Sequence, residues 1–156
     1  IRICLVGSEM CIRDRYIYRY ENSEIKFLLL KRSKDRIYEN LWQGVTGKIE
    51  DNESPWETAI RELNEETGLK PHKAFVVDYV SKFYEHDKGR INLIPVFAVE
   101  VKEKEINLSK EHSRYQWLNY KNAKKKLTWR GQKKGIKEVF KMLNSTDDRL
   151  KWSKIS

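Results

Sequence analysis

The sequence predicts a single α/β domain. Its length of 156 residues suits one domain of ordinary size. Two segments with strand patterns precede the first helix signal, and three more precede two further segments with helix signals. Hydrophobic residues make up 39% of the chain, enough for a packed core, and the 35% that are charged are interspersed among them, which argues against disorder.

The first half of the domain is predicted to form a β-hairpin. Residues 16–20 and 25–31 have strand character, and the polar residues between them suit a turn. A polar loop over residues 33–40 and a short segment over 41–47 follow.

The segment over residues 54–68 has the clearest helix signals in the chain. Ser54 and Glu57 have the spacing of a capping box, and Pro55 occupies the first helical position. Gly68 is expected to end the helix. The apolar residues fall on one face, with the spacing i, i+4, i+7, and are predicted to point into the core: Trp56, Ile60 and Leu63.

The second half is predicted to add strands over 75–84, 91–101 and 115–118, then helices over 120–127 and 133–144. Pro95 indicates a bulge or an edge position within its strand. Phe83 is expected in the core, and the three histidines are expected to lie in surface loops: His72, His86 and His112.

The two ends of the chain are set apart from residues 16–144, the predicted domain. Residues 1–15 contain the run CLVGSEMCIRDR, which resembles a translated sequencing adapter, so we expect a non-native segment there. The alternative is a native strand near residue 1. Both cysteines fall in this segment, which leaves no disulfide framework or zinc site. Residues 145–156 are expected to form a polar, fraying tail.

The net charge of +9 is unevenly distributed. Residues 50–66 contain seven acids and one base, whereas residues 121–141 contain nine basic residues and one acid. The basic stretch is either a solvated face or a surface that attracts phosphates or nucleic acid. No apolar run approaches the roughly 20 residues that a membrane helix needs, so a membrane partner is not expected and the cytoplasm is the expected compartment.

Three carboxylates on the predicted helix indicate a cation site. Glu62, Glu65 and Glu66 follow the spacing i, i+3, i+4 and therefore share one helix face. Like charges this close together cost stability, particularly in the C-terminal half of a helix. The face is either simply solvated or supplies oxygen ligands for Mg²⁺ or Mn²⁺.

The wider spacing carries a family resemblance. Gly47, Glu53 and the run RELNEETGL over residues 61–69 match every specified position of the signature GX5EX7REUXEEXGU, where U is a bulky aliphatic residue. The chain therefore resembles the Nudix hydrolases. The resemblance implies an α/β/α sandwich with a mixed sheet, and hydrolysis of a nucleoside diphosphate linked to another group, with a divalent cation and water.

The resemblance also implies roles for individual residues. Glu62 and Glu66 correspond to the principal metal ligands and Glu65 to a third, with the Gly47 carbonyl as a further ligand and Glu53 acting through water. Glu111 is either the general base, an additional metal ligand or a solvated loop acid. Arg61 is expected to form a salt bridge that orients Glu53 or Glu62, and not to contact the substrate. The predicted catalytic residues are Glu65, Glu111 and Arg61.

The segments that flank the motif resemble one group within this family. The stretch WQGVTG before the acidic helix, Glu111 with His112, and the later runs YQWL and LTW resemble bacterial dihydroneopterin triphosphate diphosphatases, also called dATP pyrophosphohydrolases. This implies that Arg32 and Thr46 bind a nucleoside or pterin triphosphate. Two alternatives stay open: a Nudix enzyme acting on dinucleoside polyphosphates or RNA 5′ ends, and a non-catalytic nucleotide-binding module. The chain is expected to be a monomer or a homodimer.

Overall fold

The computed structural model describes residues 2–4, 12–48, 50 and 52–155. Its elements in chain order are β1 (Arg2–Cys4), β2 (Ile12–Glu21), β3 (Glu24–Arg32), β4 (Trp42–Gln43), β5 (Val45–Lys48), α1 (Pro55–Thr67), β6 (Lys73–Glu85), β7 (Arg90–Glu100), β8 (His112–Asn119), α2 (Tyr120–Lys126), α3 (Arg130–Leu143) and α4 (Arg149–Ser153).

The strands form one mixed sheet. β2 pairs in parallel with β7, and it pairs antiparallel with β3 and with β5. The predicted hairpin is confirmed by the pairing of Tyr18 with Phe27. β8 pairs with the other edge of β3, which makes β3 a central strand. The mixed sheet implied by the family resemblance is therefore present.

Helices cover both faces of the sheet, and β3 shows how the sequence divides them. Successive side chains of a strand point to opposite faces. Phe27 and Leu29 are buried in a cluster with residues of α2 and α3, whereas Leu28 and Leu30 are buried in a cluster with Leu63 of α1. A run of apolar residues is what a strand with both faces covered requires. The α/β/α sandwich is confirmed.

The ends of α1 follow the predicted signals. The Ser54 hydroxyl accepts a hydrogen bond from the Glu57 amide at 3.1 Å, and the Glu57 carboxylate accepts one from the Ser54 amide at 2.8 Å. Gly68 ends the helix with φ = 74°, a conformation that glycine adopts without steric cost. Leu63 is buried, while Trp56 and Ile60 are half-buried at the edge of this layer.

The last predicted helix begins earlier than the sequence indicates. α3 starts at Arg130, so residues 130–132 already lie in the helix. Gly131 weakens the local helix signal because glycine has low helix propensity. Its small size is required by packing, since a Cβ at this position would lie 2.5 Å from the Ser81 hydroxyl. A tertiary contact therefore explains the glycine in the first turn of α3.

Two further expectations differ from the structure. The segment after residue 145 contains α4, and the Ile155 amide donates to the Ala74 carbonyl at 2.8 Å, so the tail is anchored on the sheet. Phe83 is 40% exposed and does not belong to the core.

The non-native origin expected for residues 1–15 stays a prediction. β1 lies in this segment and β2 begins in it, at Ile12, whereas residue 1 and residues 5–11 lie outside the described residues. No helix in the described part of the chain is long and apolar enough to cross a membrane.

Candidate active site

The acidic face of α1 is organised by one arginine. Arg61 donates from Nε to Oε1 of Glu53 at 2.6 Å and from Nη2 to Oε2 of Glu53 at 3.1 Å. Its Nη1 donates to Glu62 at 2.9 Å and to Glu65 at 3.1 Å. The bond from Arg61 lowers the pKa of Glu53 to about 2. Arg61 thus holds the loop before α1 and two acids of the helix in one arrangement.

Glu53 has a positioning role in this arrangement. Besides its two bonds from Arg61, its Oε2 accepts from the Thr58 hydroxyl at 2.8 Å and from the Glu50 amide at 3.2 Å. Both oxygens are therefore engaged by the chain itself. The water-mediated metal role suggested for Glu53 stays a prediction.

Glu66 differs from its neighbours because it is buried. Its side chain is only 4% exposed, and its Oε2 has no hydrogen-bond partner. Burial raises the pKa of Glu66 to about 8, although the nearby Arg15 opposes the shift. A buried carboxylate oxygen without a donor has unused capacity for a cation.

Gly47 lies directly against Glu62. A Cβ at position 47 would be 2.3 Å from Cγ of Glu62 and 2.9 Å from Nη2 of Arg15. Any side chain larger than hydrogen would push the carboxylate away, which is a physical reason for glycine at this position of the motif. Arg15 is fully buried, and its Nε and Nη2 have no hydrogen-bond partner.

A second part of the site is formed where β3 ends and β8 begins. The Ser33 amide donates to the Glu111 carbonyl at 2.9 Å, which fixes the two segments together. Arg32 Nη1 lies 3.9 Å from Glu111 Oε2. Glu111 is among the causes that raise the pKa of Glu66, and Arg32 opposes that shift. The structure therefore brings Arg32, Glu111 and Glu66 into one electrostatic neighbourhood. Thr46 lies half-buried in β5, next to Gly47.

His112 corrects a sequence-based expectation. It is 4% exposed, and it lies in β8, opposite Arg32 of β3, and not in a surface loop. Its Nε2 is 3.3 Å from Nε2 of Gln43, and burial with the nearby Arg32 lowers its pKa to about 4. The neutral ring of His112 therefore supports the Arg32 end of β3, which is a structural role. His72 and His86 are exposed as predicted.

The residues of the acidic face fit a divalent cation, although they are not assembled around one point. In the described part of the chain, no three acidic, histidine or cysteine side chains are placed to hold a metal together. The predicted convergence of the three carboxylates is absent because Arg61 holds Glu62 and Glu65, while Glu66 is buried beside Arg15. The unpartnered Oε2 of Glu66 and the all-oxygen donor set are nevertheless what Mg²⁺ or Mn²⁺ requires.

An aromatic pair lies beyond the Arg32 end of β3. The rings of Tyr38 and Trp129 meet edge to face, with centroids 5.5 Å apart, and are 60% and 49% exposed. This contact joins the loop after β3 to the start of α3. Trp129 belongs to the run LTW noted in the sequence, but Tyr38 was missed, because a polar loop gives no signal of a distant partner.

A NUDIX domain profile matches residues 13–139. The chain is a Nudix hydrolase. The match includes the acidic helix, the Arg32 end of β3 and the start of β8, so it covers the whole of the site described above. Nudix hydrolases are pyrophosphohydrolases that in general use divalent metal ions.

This Nudix hydrolase is similar to relatives with different named activities. It is 31% identical over 137 residues to the mouse asymmetrical bis(5′-nucleosyl)-tetraphosphatase, covering 86% of this chain and 91% of that enzyme. The solved structure of a C. elegans Ap4A hydrolase in a binary complex is 22% identical, with a TM-score of 0.72, over 86% of this chain and 97% of that one. The E. coli dihydroneopterin triphosphate pyrophosphohydrolase is 22% identical, with a TM-score of 0.65, over 81% and 92%. At these identities the two structures establish a shared fold.

Proposed function

We propose that this Nudix hydrolase cleaves a pyrophosphate bond of a nucleoside or pterin triphosphate in the presence of Mg²⁺ or Mn²⁺. The observation that carries the proposal is the buried, unpartnered carboxylate oxygen of Glu66, on the helix face that Glu62 and Glu65 share. Arg32 Nη1 lies 3.9 Å from Glu111 Oε2, and both residues act electrostatically on Glu66. A cation site beside an arginine suits a polyphosphate chain.

Each residue has a role in the proposed reaction. Glu62, Glu65 and Glu66, with the Gly47 carbonyl, hold the cation. When bound, the cation neutralises phosphate charge and lowers the pKa of the attacking water. The planar guanidinium of Arg32 binds phosphate oxygens through two N–H groups, and the Thr46 hydroxyl donates to the same chain. A carboxylate oxygen of Glu111 accepts the proton of the attacking water.

The aromatic pair supports a flat heterocycle as the other end of the substrate. Trp129 and Tyr38 expose ring surface on which a purine or pterin stacks. With the ring held there and the phosphates at Arg32, the proposed attack falls on the bridge between the α- and β-phosphates. The products are pyrophosphate and a monophosphate.

A second candidate function is the asymmetrical cleavage of a dinucleoside polyphosphate. It is favoured by the 31% identity to the mouse tetraphosphatase across nearly the whole of both chains. The same cation site and the same Arg32 serve this substrate. The two candidate functions differ in whether the protein surface also binds a second nucleoside.

A product assay over a substrate panel tests both candidates. The panel contains dihydroneopterin triphosphate, dATP, a dinucleoside tetraphosphate and an RNA with a 5′-triphosphate, each with and without Mg²⁺. We expect pyrophosphate from the first two, with the pterin preferred. Orthophosphate formed without added pyrophosphatase would contradict the bond assignment. Turnover of the dinucleoside alone would establish the second candidate, and binding of nucleotides without turnover would contradict both.

A further inference from the structure

One edge of the sheet is only partly covered. β6 runs from Lys73 to Glu85 and pairs on one side with β7. On its other side the C-terminal segment forms an antiparallel bridge between Lys154 and Phe75. In the part of the chain that the structure describes, no strand covers this edge beyond that bridge. The edge over residues 76–84 therefore offers unpaired backbone amides and carbonyls to another strand.

The exposed face of this edge strand is rich in apolar residues. Val76 is 46% exposed, Val80 55% and Tyr84 60%. Asp78 and Lys82 alternate with them and are exposed as well. Large apolar side chains grouped on an outer strand face indicate an interaction surface rather than scattered surface residues.

The pattern of these residues is self-complementary. We propose that residues 76–84 pair antiparallel with the same residues of a second copy of this chain, about a two-fold axis at Val80. In this register Asp78 of each copy faces Lys82 of the other, and Val76 faces Tyr84. Opposite charges and apolar pairs directly across an antiparallel ladder each stabilise it.

Neighbouring registers lose this complementarity. A shift by one residue places Asp78 opposite Phe83, and a shift by two places it opposite Tyr84 and sets Val80 opposite Lys82. Only the register centred on Val80 neutralises both charges. Those two charges are also what makes a second copy the favoured occupant, because a two-fold interface requires one surface to be its own complement.

The uncovered part of the β6 edge is centred on Val80. At one end the Ile155 amide is bonded to the Ala74 carbonyl, which shows that the edge accepts an antiparallel strand. At the other end β6 finishes at Glu85. The stretch left between Phe75 and Glu85 has Val80 at its midpoint.

The edge also carries a residue that discourages other partners. Lys82 lies on the exposed face, and an edge lysine hinders pairing with an unrelated apolar strand. The register of β6 against β7 also shifts between Val76 and Val80, an irregularity that acts on every partner strand alike. In the self-paired register Lys82 meets Asp78, so the lysine selects the second copy and repels others.

Sedimentation velocity over a range of protein concentrations tests the charge pairing. We expect the wild-type chain to shift from monomer to dimer as its concentration rises. Asp78→Lys and Lys82→Asp each create two like-charge contacts per dimer and should raise the dissociation constant about tenfold or more. The double variant exchanges the charges and should restore the dimer. Lys102→Asp, an exposed charge change elsewhere, should leave it intact.

Disulfide trapping tests the register. With Cys4 and Cys11 replaced by serine, Val80→Cys should cross-link to itself, because only the residue on the axis faces its own counterpart. Val76→Cys and Tyr84→Cys should cross-link when mixed but not alone. A chain that stays monomeric at every concentration would overturn the proposal. A dimer whose dissociation constant is the same in both single charge variants as in the wild-type chain would also overturn it.

Discussion

Arg61 binds Glu53 through two parallel hydrogen bonds, from Nε at 2.6 Å and from Nη2 at 3.1 Å. Paired bonds of this kind fix orientation as well as distance. Because Nη1 of the same guanidinium also contacts Glu62 and Glu65, the loop before α1 and the acids of its exposed face are set by a single side chain. The arginine of the motif therefore acts through the acids it holds.

Arg61→Lys should lower kcat by about 10- to 100-fold, as is typical when a group that orients metal ligands is lost. A lysine cannot make the paired bonds to Glu53. KM for the polyphosphate should change little, and the apparent affinity for the divalent ion should weaken. Titration of activity with Mg²⁺ at saturating substrate measures kcat and the apparent affinity for the ion.

The matched control is Arg90→Lys, which alters an arginine bonded to Glu85 at the far end of β6. It should leave kcat unchanged. A large rise in KM for the substrate with unchanged metal dependence in Arg61→Lys would mean that Arg61 binds the substrate directly.

Glu66→Gln should reduce the rate by at least about 100-fold at saturating metal while the fold is retained. The change keeps the shape of the side chain but removes the charge that binds a cation. Without metal, the thermal stability should hold or rise slightly, because a buried carboxylate oxygen lacking a donor is costly. Near-wild-type turnover would remove Glu66 from the site, and Glu103→Gln, at an exposed loop position, serves as the control.

Much of this architecture follows from local sequence signals. The capping residues Ser54 and Glu57 and the terminal Gly68 locate α1 because each satisfies or ends backbone bonds within its own turn. The family resemblance likewise predicts that Arg61 holds Glu53 or Glu62, and the structure bonds it to both.

What the sequence does not predict depends on distant contacts. The burial of His112 arises from its pairing opposite Arg32, which lies far away in the chain. The glycine in the first turn of α3, Gly131, is explained by its close approach to Ser81 of β6. The Tyr38–Trp129 contact joins two loops with no shared pattern. Such long-range packing overrides the local propensity for helix or strand, and the spacing of hydrophobic residues does not predict it.

Arg15→Val should strengthen the binding of the divalent ion several-fold. The buried guanidinium lies beside Glu62 and Glu66 and competes electrostatically with a cation for the same carboxylates. At saturating metal, kcat should equal that of the wild-type chain. Calorimetric titration with Mg²⁺ measures the affinity, and Arg114→Val, at an exposed arginine of β8, controls for the loss of one positive charge. Weaker metal binding in Arg15→Val would mean that Arg15 orders the acids.

Glu85→Gln should destabilise the chain at neutral pH but not in acid. Burial alone would raise the pKa of Glu85, but hydrogen bonds from Arg90, Asn92 and Lys88 lower it to about 2. A carboxylate whose pKa in the folded chain lies below its ordinary value stabilises the fold at pH values above that ordinary pKa. This contribution is lost as pH falls toward 2. We expect a difference of about 1 kcal/mol at pH 7 that vanishes near pH 2. Chemical denaturation across this range measures it; a difference independent of pH would indicate a packing effect.

The exposed cations of α3 should steer the substrate only weakly. Arg130 and Lys134 lie on exposed positions near Trp129, whereas Lys133 donates to the Lys124 carbonyl at 3.1 Å and so joins α2 to α3. Charge reversal at Lys133 would therefore disturb packing, and Arg130→Glu and Lys134→Glu are the cleaner variants.

Each of these two variants should lower kcat/KM by about two- to fivefold at low salt, and the difference from the wild-type chain should shrink as salt screens the charges. The control is Lys141→Glu, about 16 Å farther along the helix from Arg130, which should change little. A 5′-triphosphorylated RNA should form no submicromolar complex at about 0.15 M salt. Tight RNA binding with a steep dependence of log affinity on log salt would show instead that several phosphates contact the protein, and would favour the alternative in which RNA 5′ ends are the substrate.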